Sequence, residues 1–178
     1  MTYPHPTEGT RVVVSPSRVL LGSGAIEEVG ESAATFGSHA LVVATPEIFD
    51  IQGDALRSIL EKAEVEITVY DEVRPDPTVT NIEEAYDRFE TEGCDVIVTL
   101  GGGSSVDAGK GVGVLATNEG HIRDFAVDQA GYEGVPNPIP PLIAVNTTAG
   151  TGSEATRSIV VTDETTATKF LIVSQNVV

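Results

Sequence analysis

The sequence predicts an α/β fold, in which a Rossmann-like open parallel sheet has flanking helices and bordering β-hairpins. Apolar runs of strand length alternate with segments of helical periodicity. The runs are mostly apolar on both faces, as in a parallel sheet that helices cover on both sides. This alternation favours right-handed crossovers between neighbouring parallel strands. With 178 residues and 40% hydrophobic content, the chain is long enough for one domain with a real core.

The predicted core strands follow one another along the chain and are separated by helical segments. Helices are indicated where apolar residues recur three or four positions apart, in segments that begin near Ile26, Leu56 and Ile82. Residues 11–22 and residues 157–173 each have the pattern of two strands joined by a turn, and these are the bordering hairpins. The core strands are predicted at Ala40–Thr45, Val65–Tyr70, Asp95–Gly101 and Pro141–Asn146.

The chain is strongly acidic. It has 27 aspartate and glutamate residues against 10 lysine and arginine residues, which gives a formal net charge of −17. Nucleic acids and anionic membrane surfaces are therefore poor partners, and we expect the protein to bind neither. The acidic residues are spread along the chain and not gathered in a tail, which favours adaptation to high salt over an acidic surface that serves solubility alone.

Cys94 is the only cysteine, so the chain forms no internal disulfide. It precedes an apolar strand and has no histidine near it in sequence, and we interpret it as a buried, inert thiol. The N-terminal segment lacks the basic start and apolar core of a signal peptide, and no apolar run approaches membrane-spanning length. We therefore expect a cytoplasmic protein.

Ligands of such sheets bind outside the carboxyl ends of the strands, so the strand-to-helix turns are the candidate sites. In Gly22–Glu27 a glutamate replaces the third glycine of a dinucleotide fingerprint and would repel a phosphate, and we interpret this segment as a tight turn. Gly101–Gly103 is a better candidate, because a helix is predicted to start at Ser104 or Ser105 and its N–H groups would point at a phosphate. Three glycines capped by Ser104 are also typical of a plain turn.

Two residues of that helix, and the loop after the next strand, also bear on whether this edge of the sheet binds a ligand. Asp107 either favours the helix dipole or accepts a hydrogen bond from a ribose or an amide. The commoner role for Lys110 is a solvated side chain paired with Asp107. Residues 146–158, NTTAGTGSEATRS, combine hydroxyls with two glycines, which suits the polyhydroxy and pyrophosphate parts of a dinucleotide. An ordinary polar loop is the alternative, but two such turns are predicted at one sheet edge.

These motifs resemble the iron-dependent (group III) alcohol dehydrogenase superfamily. The resemblance lies in GGGSSVDAGK at residues 101–110, followed by TTAGTGSE at residues 147–154. RPDPT at residues 74–78 resembles the family's proline-containing loop, and TDETTATKF at residues 162–170 resembles its late hairpin. The resemblance implies that residues 1–178 are an N-terminal domain that binds NAD or NADP. It also implies an all-helical C-terminal domain, absent from this chain, that binds iron or zinc.

The resemblance further implies which residues contact the cofactor. The glycine turn would hold the pyrophosphate and neighbouring groups, the loop after the fourth strand would line the other side, and a lysine of the late hairpin would reach the ribose region. Asp76 and Ser158 stand where asparagine is frequent in the family, and both keep a polar side chain. The predicted cofactor-binding residues are Thr45, Asp76, Gly102, Gly103, Ser104, Asp107, Thr147, Thr148, Thr151, Ser158 and Lys169.

Thr45 bears on the choice between the two cofactors. The family often has an aspartate at this position, whose carboxylate binds the adenosine ribose and repels a 2′-phosphate. A neutral hydroxyl accepts either group, so we expect both NAD and NADP to bind.

The implied activity is the interconversion of a small alcohol and an aldehyde or ketone by metal-assisted hydride transfer, in a homodimer. One alternative is a metal-free oxidoreductase related to maleylacetate reductase, although the corresponding loop there usually lacks the full TTAGTGSE run. The other is a nucleotide-binding module without activity. His5, His39 and His121 share no metal-binding spacing, so no catalytic or metal residue is predicted. As about half an enzyme, the chain alone is expected to bind dinucleotide weakly without transferring hydride.

Overall fold

A four-stranded parallel sheet forms the centre of the protein. The computed structural model describes residues 15–178. The strands lie in the order β2-β1-β3-β4, and every neighbouring pair is parallel. The predicted core strands are confirmed, with ends that move by one residue at most. The strands are β1 (His39–Ala44), β2 (Glu66–Tyr70), β3 (Val96–Gly101) and β4 (Leu142–Asn146).

Helices cover both faces of the sheet. The first two helices pack with Val42 and Val98 on one face, and the next two pack with Leu41 and Ile97 on the other, since alternate strand residues point to opposite sides. Among the helices of residues 15–178, none is both long enough and apolar enough to cross a membrane. The helices are α1 (Glu28–Phe36), α2 (Pro46–Lys62), α3 (Val79–Glu92), α4 (Gly103–Thr117) and the single turn α5 (Val127–Ala130).

Helix ends follow local sequence rules. Helix α2 begins with Pro46, whose fixed φ suits the first helical position. The side chain of Thr78 caps α3 by accepting the N–H of Asn81 at 3.1 Å, and the Asn81 side chain accepts the N–H of Thr78 in return. Helix α3 ends at Gly93 in the left-handed conformation, with a φ of 70°. These caps fix where each connection to the sheet begins and ends.

Helix α4 is buried on all sides, and every residue from Ser105 to Leu115 is buried. It lies between the sheet, α3 and the first strand of the C-terminal hairpin. Glycine allows this close packing: a Cβ on Gly109 would collide with Cγ2 of Thr99 in β3 and lie 3.3 Å from Cγ2 of Ile97. In a globular protein, a helix without a polar face is usually buried in this way.

The C-terminal hairpin is confirmed, and it packs against α4. Strands β5 (Ser158–Asp163) and β6 (Thr168–Val173) are antiparallel. Ile159 and Val161 point into the core beside α4, so the other face of the hairpin carries Ser158 and Val160. A bridge between Thr78 and Thr162 joins the hairpin to the start of α3.

The N-terminal hairpin stays a prediction. Residues 11–14, the first four residues of that segment, lie outside the described residues. Residues 15–22 contain no strand, and the apolar side chains of Val19 and Leu21 are 63% and 91% exposed. A strand needs a neighbour for its backbone hydrogen bonds, and the predicted neighbour lies outside the described part of the chain.

The topology places a ligand position at one edge of the sheet. The chain leaves β1 through α2 towards β2 on one side, and it leaves β3 through α4 towards β4 on the other. The connections therefore diverge between the carboxyl ends of β1 and β3. Such a switch point opens the crevice in which open α/β sheets bind ligands.

The contact between α4 and β3 is testable by substitution. Although alanine is the better helix former, we expect Gly109→Ala to lower the free energy of unfolding by about 1–3 kcal/mol because the new methyl group overpacks the core. Thr99→Ser removes the Cγ2 atom that the methyl group would strike. In the Thr99→Ser background the cost of Gly109→Ala should fall by at least about 0.5 kcal/mol in urea unfolding. An equal cost in both backgrounds would contradict this contact.

Candidate nucleotide-binding site

The glycine turn connects β3 to α4 at the switch point. Gly101 has a φ of 147°, which favours glycine, and a Cβ there would collide with Oγ of Ser105. Gly102 is the N-cap of α4, and no side chain caps this helix end. The N–H groups of the first turn have no acceptor within the helix, and they form the positive end of its dipole. The turn therefore offers hydrogen-bond donors at the ligand position.

The loop after β4 begins against this turn. The N–H of Thr147 donates to the carbonyl oxygen of Gly101 at 2.9 Å. Oγ1 of Thr148 lies 3.0 Å from the position that a Cβ on Gly102 would occupy. The two strand-end turns are therefore in direct contact, as expected from parallel neighbours that end at one edge.

The middle of the same loop lies over the first residue of α4. A Cβ on Gly103 would lie 3.2 Å from Cβ of Thr151 and 3.0 Å from Oγ of Ser153. A side chain at position 103 would push the loop away by a few tenths of an ångström, so glycine suits this close approach. We call residues 147–156 the hydroxyl loop, and five of the predicted residues, two glycines and three threonines, meet where it touches the glycine turn.

Three further predicted residues meet beside the start of α4. The N–H of Asp76 donates to Oγ of Ser104 at 3.1 Å, and Asp76 has a left-handed φ of 59°. Oδ1 of Asp76 lies 2.8 Å from Nζ of Lys169, which extends from β6. Both side chains are more than half exposed, so this ion pair is screened and contributes little to stability. It nevertheless brings the loop after β2 and the hairpin to the same helix end.

Thr45 and Ser158 lie further from this contact. Thr45 is the N-cap of α2 and follows Ala44, which pairs with Leu100, so it stands beside the glycine turn across the switch point. Ser158 begins β5 opposite Val173. In the described part of the chain, Ser158 makes no side-chain hydrogen bond to the other predicted residues.

Asp107 is buried beneath the site. It is 6% exposed, and its Oδ2 accepts the N–H of Val160 in β5 at 3.1 Å. Its Oδ1 is buried and has no hydrogen-bond partner among the described residues. Burial raises the pKa of this carboxyl, although the bond from Val160 and the charge of Lys110 oppose the rise. One oxygen of Asp107 thus holds the hairpin and the other is buried as well, so the predicted contact between Asp107 and the cofactor stays a prediction.

The interpretation of Lys110 as a solvated residue is wrong. Lys110 is 1% exposed, because α4 is covered on every side. Its Nζ donates to the carbonyl oxygens of Ser153 at 2.6 Å and Thr156 at 2.5 Å. Burial lowers its pKa to about 8, and the charges of Asp107 and Glu154 oppose this lowering. The sequence did indicate a buried lysine, because the helix around Lys110 has no polar face that would direct its side chain to water.

Cys94 is buried, as expected from its place before β3. It is 8% exposed, and burial raises the pKa of its thiol to about 11. A thiol that stays protonated near neutral pH is a poor nucleophile, which agrees with the interpretation of an inert side chain. Within residues 15–178, no group of three or more histidine, cysteine, aspartate or glutamate side chains is arranged to hold a metal ion.

A sequence model for iron-containing alcohol dehydrogenases matches residues 16–178. The chain belongs to this family. The resemblance inferred from the glycine turn and the hydroxyl loop is thereby confirmed.

Relatives of known activity are similar over most of this chain. 1,3-Propanediol dehydrogenase of Citrobacter freundii is 42% identical over 163 residues, which cover 89% of this chain and 41% of that protein. Alcohol dehydrogenase 4 of Schizosaccharomyces pombe is 39% identical over 166 residues, which cover 90% and 38%. NAD-dependent methanol dehydrogenase of Bacillus methanolicus is 32% identical over 170 residues, which cover 94% and 43%. The chain thus spans less than half the length of these relatives.

Solved structures confirm the fold class. The crystal structure of a 1,3-propanediol oxidoreductase superposes with a TM-score of 0.89 and 41% identity, over 94% of this chain and 43% of that one. A halo-thermophilic alcohol dehydrogenase from an archaeal Red Sea brine pool superposes with a TM-score of 0.84 and 33% identity, over 97% and 45%. The Rossmann-like α/β architecture is therefore that of its structural relatives.

Proposed function

We propose that this chain is the NAD- or NADP-binding part of an enzyme that interconverts an alcohol and an aldehyde or ketone by hydride transfer. The observation that supports it most directly is the contact between the glycine turn and the hydroxyl loop at the switch point of the sheet. The relatives named above act on alcohols, and one of them is NAD-dependent by name.

The chemistry of the donors fits a dinucleotide. A pyrophosphate needs several N–H or hydroxyl donors and a positive potential, and the uncapped first turn of α4 offers both. The absent side chains of Gly102 and Gly103 keep the backbone approachable. Oγ of Ser105 and Oγ1 of Thr147 are buried without partners among the described residues, so further polar groups stand beside the turn.

The predicted residues take roles that follow from their positions. Gly102, Gly103 and Ser104 would hold the pyrophosphate, and the threonines of the hydroxyl loop would line the opposite side. Asp76 and Lys169, which form an ion pair beside Ser104, would face a ribose. Thr45 lies across the switch point from the glycine turn, where the adenosine ribose would lie. The remaining predicted residues, Asp107 and Ser158, would support this cleft from below and from the hairpin.

Iron or zinc is part of the proposal for the complete enzyme. The described residues present no ligand set that fits a divalent metal, and we assign none of them to the metal. No catalytic residue is assigned within residues 15–178 either. We propose that the metal and the substrate are bound by parts of the enzyme that correspond to the rest of its longer relatives.

An activity assay on the longest natural product of this gene tests the proposal. We expect it to reduce NAD or NADP in the presence of short alcohols or diols, to lose this activity with a chelator, and to regain it with iron or zinc. Activity that a chelator leaves unchanged would favour the metal-free relative of maleylacetate reductase. Dinucleotide binding without turnover on any alcohol would favour the binding module.

Cofactor preference is predicted from Thr45. Because a hydroxyl does not repel a 2′-phosphate, we expect calorimetry to give dissociation constants for NAD and NADP within about tenfold of each other. Thr45→Asp should weaken NADP binding by at least about tenfold while NAD binding is retained. Thr45→Asn is the matched control, since it is polar without charge. A preference of about a hundredfold for NAD in the unmodified protein would contradict the assignment of Thr45.

Adaptation to high salt is a further proposal, supported by the net charge of −17 and by the similarity to the brine-pool enzyme. Counterions would screen the repulsion between carboxylates, which the few lysines do not offset. We expect the melting temperature to rise by several degrees, on the order of 5–15 °C, from low to molar potassium chloride. A melting temperature that stays flat over this range would contradict the proposal.

A further inference from the structure

Lys110 lies beneath the candidate site and has no place in the contacts proposed for the cofactor. Its side chain is 1% exposed and extends from the second turn of α4 to the lower side of the hydroxyl loop. There Nζ donates to the backbone carbonyl oxygens of Ser153 and Thr156, at 2.6 Å and 2.5 Å. Both acceptors belong to the protein backbone, so the ammonium group is already engaged.

The two carbonyl groups mark the end of the hydroxyl loop. Ser153 is the first residue of a 3₁₀ turn, Ser153–Ala155, and Thr156 is its C-cap; the turn follows Gly152, which has a left-handed φ of 69°. The bond within the turn from the N–H of Thr156 to the carbonyl oxygen of Ser153 is long, at 3.4 Å, so the lysine adds a shorter bond to this carbonyl. A protonated lysine provides three donors, so one side chain satisfies both carbonyl groups and leaves a third N–H. Lys110 therefore fixes the end of this loop to α4.

The start of the loop is fixed separately. The N–H of Thr147 donates to the carbonyl oxygen of Gly101 at 2.9 Å, which ties the loop to the glycine turn. Residues 148–151, between these two attachments, are exposed. Their position above the glycine turn thus depends on both ends, and the second end depends on Lys110.

Nearby charges compensate the buried ammonium. Asp107 lies one helical turn before Lys110, and Glu154 lies within the 3₁₀ turn that the lysine holds. Both carboxylates oppose the lowering of the Lys110 pKa. An apolar side chain of similar length would fill the same space, but the carbonyl oxygen of Thr156 would lose its donor from α4, and that of Ser153 would keep only the long bonds, at 3.4 Å, from the N–H and the hydroxyl of Thr156. The structure therefore requires the donors of lysine at this position, and not only its volume.

We propose that Lys110 is a positioning residue, whose ammonium group holds the hydroxyl loop at a fixed place above the glycine turn. Its effect on the cofactor rests on the proposed function, whereas its effect on the loop does not. The loop would be pre-organised by a residue that touches neither cofactor nor substrate.

Amide hydrogen exchange on the full 178-residue chain tests the inference. In Lys110→Met, the amides of Ala155 and Thr156, which the 3₁₀ turn protects, should exchange at least about tenfold faster, and those of β1 and β3 should not change. Lys62→Met is the matched control, because Lys62 is exposed at the end of α2. Exchange in the hydroxyl loop that stays the same in Lys110→Met would overturn the proposal.

A second measurement uses the unmodified protein and does not depend on the stability of the variant. With ¹⁵N-labelled lysine, at a pH well below the Lys110 pKa of about 8, a buried ammonium held by two carbonyl groups should give a slowly exchanging signal. Lys62 and Lys169 are exposed and should not. Lys62→Met and Lys169→Met should leave this signal in place, which assigns it to Lys110. Rapid exchange of all three lysines would overturn the proposal.

Cofactor affinity separates this inference from the proposed function. If the loop lines the cofactor cleft, Lys110→Met should weaken NADH binding by about tenfold, because the loop must be ordered on binding. A loop that loosens while NADH affinity stays unchanged would support the positioning role and contradict the assignment of the loop to the cofactor. Weaker binding with unchanged loop exchange would contradict the positioning role instead.

Discussion

The close contact between α4 and β3 is the constraint on which the rest of this structure depends. Gly109 allows the helix to lie against Thr99, and from there α4 is enclosed by the sheet, α3 and the hairpin. The contact fixes the axis of the helix, and so it fixes where the first turn points. The uncapped end at Gly102 therefore opens at the switch point between β1 and β3, where an anion is best bound.

Enclosure of α4 also decides what its charged residues do. Charged side chains that extend from a buried helix must have partners inside the protein, since burying an unpaired charge is costly. Asp107 accepts the N–H of Val160, and Lys110 donates to the carbonyl groups of Ser153 and Thr156. The helix thus holds the hairpin and the hydroxyl loop through charge-assisted hydrogen bonds, which are stronger than neutral ones. Packing, and not surface chemistry, explains why a chain with three lysines buries one of them.

The sheet could be predicted from sequence because its signals are local. Each core strand is a short apolar run that can be recognised on its own. The glycine turn comes directly after β3, and this position predicts a ligand site at the carboxyl edge of the sheet. The contacts of Lys110 and the ion pair between Asp76 and Lys169 could not be predicted in this way. They join residues far apart in the chain, and their geometry depends on how closely α4 and the hairpin approach. The departure of Asp76 from the usual asparagine was visible in sequence, but its partner was not.

The two lysines near the candidate site help to explain how an acidic protein would recognise an anionic cofactor. Lys110 is engaged by the backbone, and Lys169 is paired with Asp76, so each lysine charge already has a partner. Recognition of a pyrophosphate would therefore depend on the N–H groups of the glycine turn and on hydroxyl groups. Direct hydrogen bonds of this kind act over a short range, whereas the attraction between separated charges is screened by salt. A site built from backbone donors would therefore keep its affinity at the high ionic strength proposed above.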